Sequence, residues 1–145
     1  RLLEKAAVKL GGGVNHRFGL HDMILIKDNH VDFAGGIVKA IKGTQTYLED
    51  KKLDLEIVVE TRTLEDIEKV LTVGGVKRIL LDNYSLELTK QAVNLIDSRV
   101  ETESSGGINK VTIRSYAECG VDYISVGALT HQIESLDLSL KADFK

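Results

Sequence analysis

"RILLDNYSLELTKQAVNLIDSRVETESSGG", residues 78–107, decides the architecture. An apolar run, RILL at 78–81, leads into an amphipathic stretch predicted helical over 86–97, and then into a second extended segment, RVETE at 99–103. Successive strand starts are then about 22 residues apart, the spacing that a three-turn helix and two short connections require of parallel neighbours. A hairpin cannot join such a pair.

The same rhythm extends in both directions. Strands are predicted at 23–26 (MILI), 55–59 (LEIVV) and 122–126 (DYISV), and helices at 1–10, 32–50, 63–73 and 109–119, the last ended by Gly120. The result is an α/β protein built on a parallel sheet of about five strands, closed as a βα barrel or open and doubly wound. In the tail LDLSLKADF, Leu136, Leu138 and Leu140 alternate with polar residues, which predicts an extra C-terminal strand outside the parallel set. The Gly11-Gly12-Gly13 run reads as a left-handed helix cap. The chain has no proline and no low-complexity segment, so residues 1–145 are expected to form one domain. The opening helix has no capping residue before it, and we expect sequence to precede Arg1.

Composition narrows the function. The 145 residues carry a net charge of −3 and a pI near 5.8, which argues against a nucleic-acid footprint. No apolar run approaches the length of a membrane span and no secretory leader opens the sequence. The single cysteine, Cys119, has no internal disulfide partner, in keeping with the reducing cytoplasm as the expected compartment. Cys119 and His131 read as packing residues, and the spacing of His16, His21 and His30 does not suit a zinc site.

In parallel α/β folds ligands bind at the C-terminal ends of the strands. Those ends carry Lys27-Asp28-Asn29, Glu60, Asp82-Asn83, Glu103-Ser104-Ser105-Gly106-Gly107 and Ser125-Val126-Gly127. Glycine loops of this kind expose backbone N–H groups to an anion, so the last two point to a phosphorylated ligand. Glu60 and Asp82 suit ribose hydroxyls or Mg²⁺, which prefers carboxylate and phosphate oxygens. Arg17 and Lys27, with His16, form a second anion site made of side chains and suited to carboxylates.

The stretch GGGVNHRFGLHDMILIKDNH, residues 11–30, resembles a block found in quinolinate phosphoribosyltransferases, the decarboxylating nicotinate-nucleotide pyrophosphorylases of NAD biosynthesis. The resemblance continues in order through RLLEKAAVKL, VVETRTLED, ILLDN, ESSGGI and GVDYISVGALTH, over nearly the whole chain. It implies a barrel of the phosphoribosyltransferase type, here incomplete, and a pentosyltransferase joining quinolinate to phosphoribosyl pyrophosphate with Mg²⁺. The products would be nicotinate mononucleotide, pyrophosphate and carbon dioxide. By this resemblance His16, Arg17 and Lys27 bind the quinolinate carboxylates, while Glu60 and Asp82 hold the ribose hydroxyls and the metal-bound diphosphate. Ser105, Gly106, Gly107, Ser125 and Gly127 take the 5′-phosphate, and Lys27, Glu60 and Asp82 stand beside the reacting atoms.

The family also has an N-terminal sandwich domain, a first barrel strand and a Thr-Arg-Lys segment, none of which precedes the helix at 1–10. A partner subunit contributes an arginine, so a homodimer or higher homo-oligomer is expected for the full-length protein. The isolated chain is expected to be inactive or nearly so. Val58 stands where an acid is frequent and Ser104 where alanine is usual. Two other readings remain open: a related phosphoribosyltransferase with another acceptor, such as the molybdenum-transport paralogues, and a non-catalytic barrel fragment that binds a phosphorylated ligand.

Overall fold

The computed structural model describes residues 2–132 and 135–143, so Arg1 and Phe144 of the predicted helix and tail lie outside it. The chain runs α1 (Leu2–Leu10), β1 (Ile24–Ile26), α2 (Asp28–Ala34), α3 (Ile37–Lys51), β2 (Ile57–Thr61), α4 (Leu64–Val73), β3 (Arg78–Asp82), α5 (Leu86–Ile96), β4 (Glu101–Ser105), α6 (Ile113–Ala117), β5 (Tyr123–Ile124) and α7 (Ala128–His131). The five strands form one open, wholly parallel sheet in the order β1-β2-β3-β4-β5.

Alternation along the strands separates two faces. Ile57, Val59, Ile79 and Leu81 join Ile41, Ile67, Val70, Ala92 and Ile96 in the main core, beneath helices α3, α4 and α5. Val58 and Leu80 point the other way, into a small cluster with Met23 and Leu25. Pairing extends that second face across the sheet. Arg78 is opposite Glu101, Leu80 opposite Glu103 and Asp82 opposite Ser105, so β4 presents two glutamates and a serine on the face of Leu80. In a closed barrel this face is the interior.

Local chemistry sets the helix boundaries. Thr63 and Ser85 cap α4 and α5, their hydroxyls accepting from Asp66 N at 3.1 Å and Leu88 N at 3.2 Å. Gly12, at φ 85°, follows α1 in the left-handed conformation expected of the glycine run.

Several boundaries differ from expectation. The helix predicted over 32–50 is two helices, because Gly35 and Gly36 at φ 75° and 125° end α2, which itself starts at Asp28. Strand β4 begins two residues later than predicted, since Arg99 turns its guanidinium back onto the Ile96 and Leu95 carbonyls that end α5. Strand β2 is likewise displaced, running on to Thr61, whose buried hydroxyl accepts from Tyr84 Oη at 3.2 Å. The helix predicted over 109–119 shrinks to Ile113–Ala117, because Asn109 Oδ1 accepts from Val111 N and Thr112 N in a competing turn. The predicted C-terminal strand is absent from residues 135–143, and Leu136, Leu138 and Leu140 are fully exposed there. Alternation alone did not supply a pairing partner. The helix α1 buries none of its residues. Among the described residues no helix is long and apolar enough to cross a membrane.

Candidate active site

The sheet's barrel-facing side carries polar groups at two levels. At the rim, Ser105 Oγ donates to Asp82 Oδ1 and Asn83 Nδ2 to Asp82 Oδ2, both at 2.8 Å. Glu60 Oε2 accepts from the backbone N–H of Asp28 at 3.0 Å, tying the end of β2 to the start of α2. Gly106 completes the turn after β4 at φ 92°, and a Cβ there would lie 2.2 Å from Asn83 Oδ1 and 2.9 Å from its backbone nitrogen. Only glycine fits. Gly107, at φ 61°, faces open space.

Below the rim lies the expected strand-end residue Glu103, two positions inside β4 and 1% exposed. Its Oε2 accepts from Arg78 Nη1 at 2.8 Å, and its Oε1 from the Ser125 hydroxyl. Arg78 also reaches Glu101 Oε2 with Nε at 3.0 Å and Nη2 at 2.8 Å, and sits 3.8 Å above the Tyr123 ring. Burial alone would lower the Arg78 pKa, but its hydrogen bonds to Glu103 and Glu101 hold it above the ordinary value.

His16 enters this floor from the loop before β1, placing Nε2 3.7 Å from Glu103 Oε2 and giving it no hydrogen-bond partner. Burial pushes its pKa below 6.5; Glu103 opposes that shift, while Arg78, Arg17 and Lys5 reinforce it. The loop is organised by Asp22, whose carboxylate accepts from Phe18 N at 2.6 Å and Gly19 N at 2.8 Å. Those two backbone donors hold Asp22 below the usual carboxylate range. Asn15 and Lys5 bind the loop to α1, through Asn15 Nδ2 to Lys5 O at 3.0 Å and Lys5 Nζ to Arg17 O.

The predicted site residues therefore fall into groups. His16, Ser125 and Gly127 line one cavity of about 420 Å³ together with Arg78, Glu103 and Tyr123. Asp82, Ser105 and Gly106 are joined at the rim by the contacts above. Glu60 lines a smaller cavity of about 190 Å³ with Asp28, Asp32 and Arg62. Arg62 makes a two-point contact with Asp32, 3.0 Å on each arm, and reaches Asp28 at 2.9 Å. Its hydrogen bond to Asp28 keeps that carboxyl below its ordinary pKa. Arg17 and Lys27 line neither cavity. Lys27 is exposed just past β1, its backbone N–H donating to His30 Nδ1 at 3.0 Å. His131 is exposed rather than packed, whereas Cys119 is buried, with its thiol toward Leu86 O and Ser115 O and its pKa raised by that burial.

Sequence reading missed Arg78 and Tyr123 and misplaced Glu103. The available signal was Glu101-x-Glu103-x-Ser105 in a parallel strand, since charges alternating on one face of a covered sheet need partners on the next strand.

A parallel α/β sheet with acidic groups and a glycine turn at its C-terminal rim has its polar groups where proteins of this class bind ligands. The chain belongs to the family described as quinolinate phosphoribosyl transferase, C-terminal domain, whose model matches residues 1–141. It is 46% identical to the chloroplastic nicotinate-nucleotide pyrophosphorylase [carboxylating] of Arabidopsis thaliana, over 99% of this chain and 45% of that protein. It is 39% identical to the probable nicotinate-nucleotide pyrophosphorylase [carboxylating] of Bacillus subtilis (strain 168), over 97% and 47%. The crystal structure of NadC from Streptococcus pyogenes superposes with a TM-score of 0.89 at 42% identity, covering 97% of this chain and 48% of that one. The chain thus spans about half the length of the relatives it matches. A thiamine phosphate pyrophosphorylase from Pyrococcus furiosus, at 18% identity and a TM-score of 0.53, shares the fold.

Proposed function

We propose that this chain is the C-terminal catalytic α/β domain of an enzyme that transfers phosphoribosyl from phosphoribosyl pyrophosphate to quinolinate. Carbon dioxide is then lost and nicotinate mononucleotide and pyrophosphate are released. The observation that carries the reading is the Asp82–Ser105–Gly106 rim beside Glu60, on a chain whose relatives bear that enzyme's name.

In this reading His16, Arg17 and Lys27 hold the two carboxylates of the acceptor. Ser105, Gly106 and Gly107, with Ser125 and Gly127, hold the 5′-phosphate. Glu60 and Asp82 face the ribose hydroxyls. As the ring nitrogen bonds to the anomeric carbon and the carbon–diphosphate bond breaks, positive charge grows on the ribose, and the two carboxylates stabilise it. Lys27 keeps the acceptor in line; as carbon dioxide departs, the electron pair of the broken carbon–carbon bond stays on the ring carbon that carried it, and that carbon takes up a proton from water to give nicotinate mononucleotide.

Glu60 and Asp82 also fit Mg²⁺. Among the described residues no three His, Cys, Asp or Glu side chains form a cage, so a cation here would take most of its oxygens from a diphosphate. When bound, it would supply charge neutralisation to the departing pyrophosphate. The active assembly in this reading is a cytoplasmic homodimer or higher homo-oligomer.

Isothermal titration tests the reading. The chain is titrated with quinolinate, nicotinate and Mg²⁺–phosphoribosyl pyrophosphate, and the variants Arg17→Ala and Lys27→Ala are titrated beside it. Quinolinate binding that exceeds nicotinate binding and disappears in both variants is expected. Equal affinity for the two acceptors, or binding indifferent to both substitutions, would overturn the acceptor assignment.

A further inference from the structure

The floor of the 420 Å³ cavity is built around one carboxylate. Glu103 spends one oxygen on Arg78 and the other on Ser125, and has His16 Nε2 as a third neighbour at 3.7 Å. Arg78 cannot easily follow if Glu103 moves, because Glu101 holds two of its nitrogens and Tyr123 lies under its plane. The sheet itself does not require this arrangement. Neighbouring positions on the same face are Val58 and Leu80, and apolar side chains commonly replace a buried ion pair with no loss of stability. A glutamate at this position does what they cannot: it touches two polar side chains that come from opposite ends of the chain.

We propose that Glu103 is a positioning residue: clamped by Arg78, its carboxylate orients the Ser125 hydroxyl through a hydrogen bond and the His16 imidazole through charge across 3.7 Å, so that the acceptor and phosphate halves of the site share one buried anchor. The roles of those halves rest on the function proposed above; the orienting contact does not. The charged or titratable groups around His16 are Glu103 from β4, Arg78 from β3, Lys5 from α1, Arg17 from its own loop, and Asp122 and Tyr123 in the cavity wall.

The test begins with the unaltered chain and no substrate. With ¹³C and ¹⁵N labels, NMR follows the Glu103 carboxyl carbon while His16 is titrated. An inflection in the Glu103 signal at the His16 midpoint is expected. Glu103→Gln should move that midpoint downward, because the neighbouring negative charge is gone. Glu101→Gln removes another partner of Arg78 without reaching His16, and should leave the midpoint in place. A Glu103 signal blind to His16 overturns the proposal, as does an unmoved midpoint in Glu103→Gln or an equal shift in Glu101→Gln. If Glu103→Gln does not fold, the signal from the unaltered chain decides. Quinolinate titration then separates the two readings. A roughly tenfold weaker affinity in Glu103→Gln supports both, the scale being the charge interaction equivalent to about one pKa unit. NMR coupling without quinolinate binding in the unaltered chain retains the anchor and removes the acceptor assignment.

Discussion

Asp82 and Ser105 stand opposite one another at the ends of β3 and β4, and the serine hydroxyl donates to the aspartate over 2.8 Å. Asn83 supplies the other Asp82 oxygen at the same distance. Two neutral donors therefore aim the carboxylate without neutralising it, which suits a group meant to meet positive charge or hydroxyl donors.

Ser105→Ala should cost about 1 kcal/mol, the net worth of one such hydrogen bond. It should also weaken phosphoribosyl pyrophosphate binding while sparing quinolinate. Urea unfolding and paired titrations measure this, and an equal loss for both ligands would contradict the division of the site.

Gly106→Ala and Gly107→Ala separate sterics from backbone preference. At 106 a methyl group meets Asn83 backbone at 2.9 Å, whereas at 107 it meets nothing within 4 Å. The second variant should lose only the left-handed penalty of roughly 1–2 kcal/mol. The first should lose more, together with donor binding. Similar unfolding midpoints for the two would refute the close approach.

Acid should destabilise the fold partly through His16. Burial sets its folded pKa below the 6.5 of an exposed imidazole, so the unfolded chain binds the proton first as pH falls. Stability from this residue is intact above that value and declines as pH drops through it, until the folded imidazole itself protonates. In His16→Gln the change in urea midpoint between neutral pH and about pH 5 should be smaller. An unchanged pH dependence would show that His16 is not a contributor.

Ile79→Ala, at a fully buried position in the main core, should cost about 2–5 kcal/mol. Leu138→Ala, in the exposed tail, should stay within about 0.5 kcal/mol of the parent. Thermal or chemical melts would test both, and a destabilised Leu138→Ala would mean that the tail packs after all.

The fold was legible because its signals are local. Apolar runs such as RILL and LEIVV, alternating with amphipathic stretches, state the rhythm of a parallel sheet without reference to distant residues. Boundaries were less legible where side chains compete for the backbone. Asn109 shortens α6, Arg99 delays β4, and the paired glycines 35 and 36 cut one predicted helix into two. At the strand ends, the sequence pattern is enough to place Asp82, Ser105 and Gly106 at one rim, whereas the Arg78–Glu103–His16 grouping was not legible. Its members lie on three segments: strand register brings Arg78 beside Glu103, and the loop before β1 brings His16.

The same strand order has a bearing on how the molecule assembles. Each ladder joins strands that are consecutive in the chain, so no pairing must wait for a remote segment and each loop closure is short. The rim formed by Glu60 and Asp82 needs only β2 and β3. The floor needs more, since Glu103 arrives with β4 and Ser125 follows β5. His16 precedes β1 in the chain and meets its buried neighbour Glu103 only once β4 has joined the sheet, so this contact spans more of the sequence than any strand pairing does.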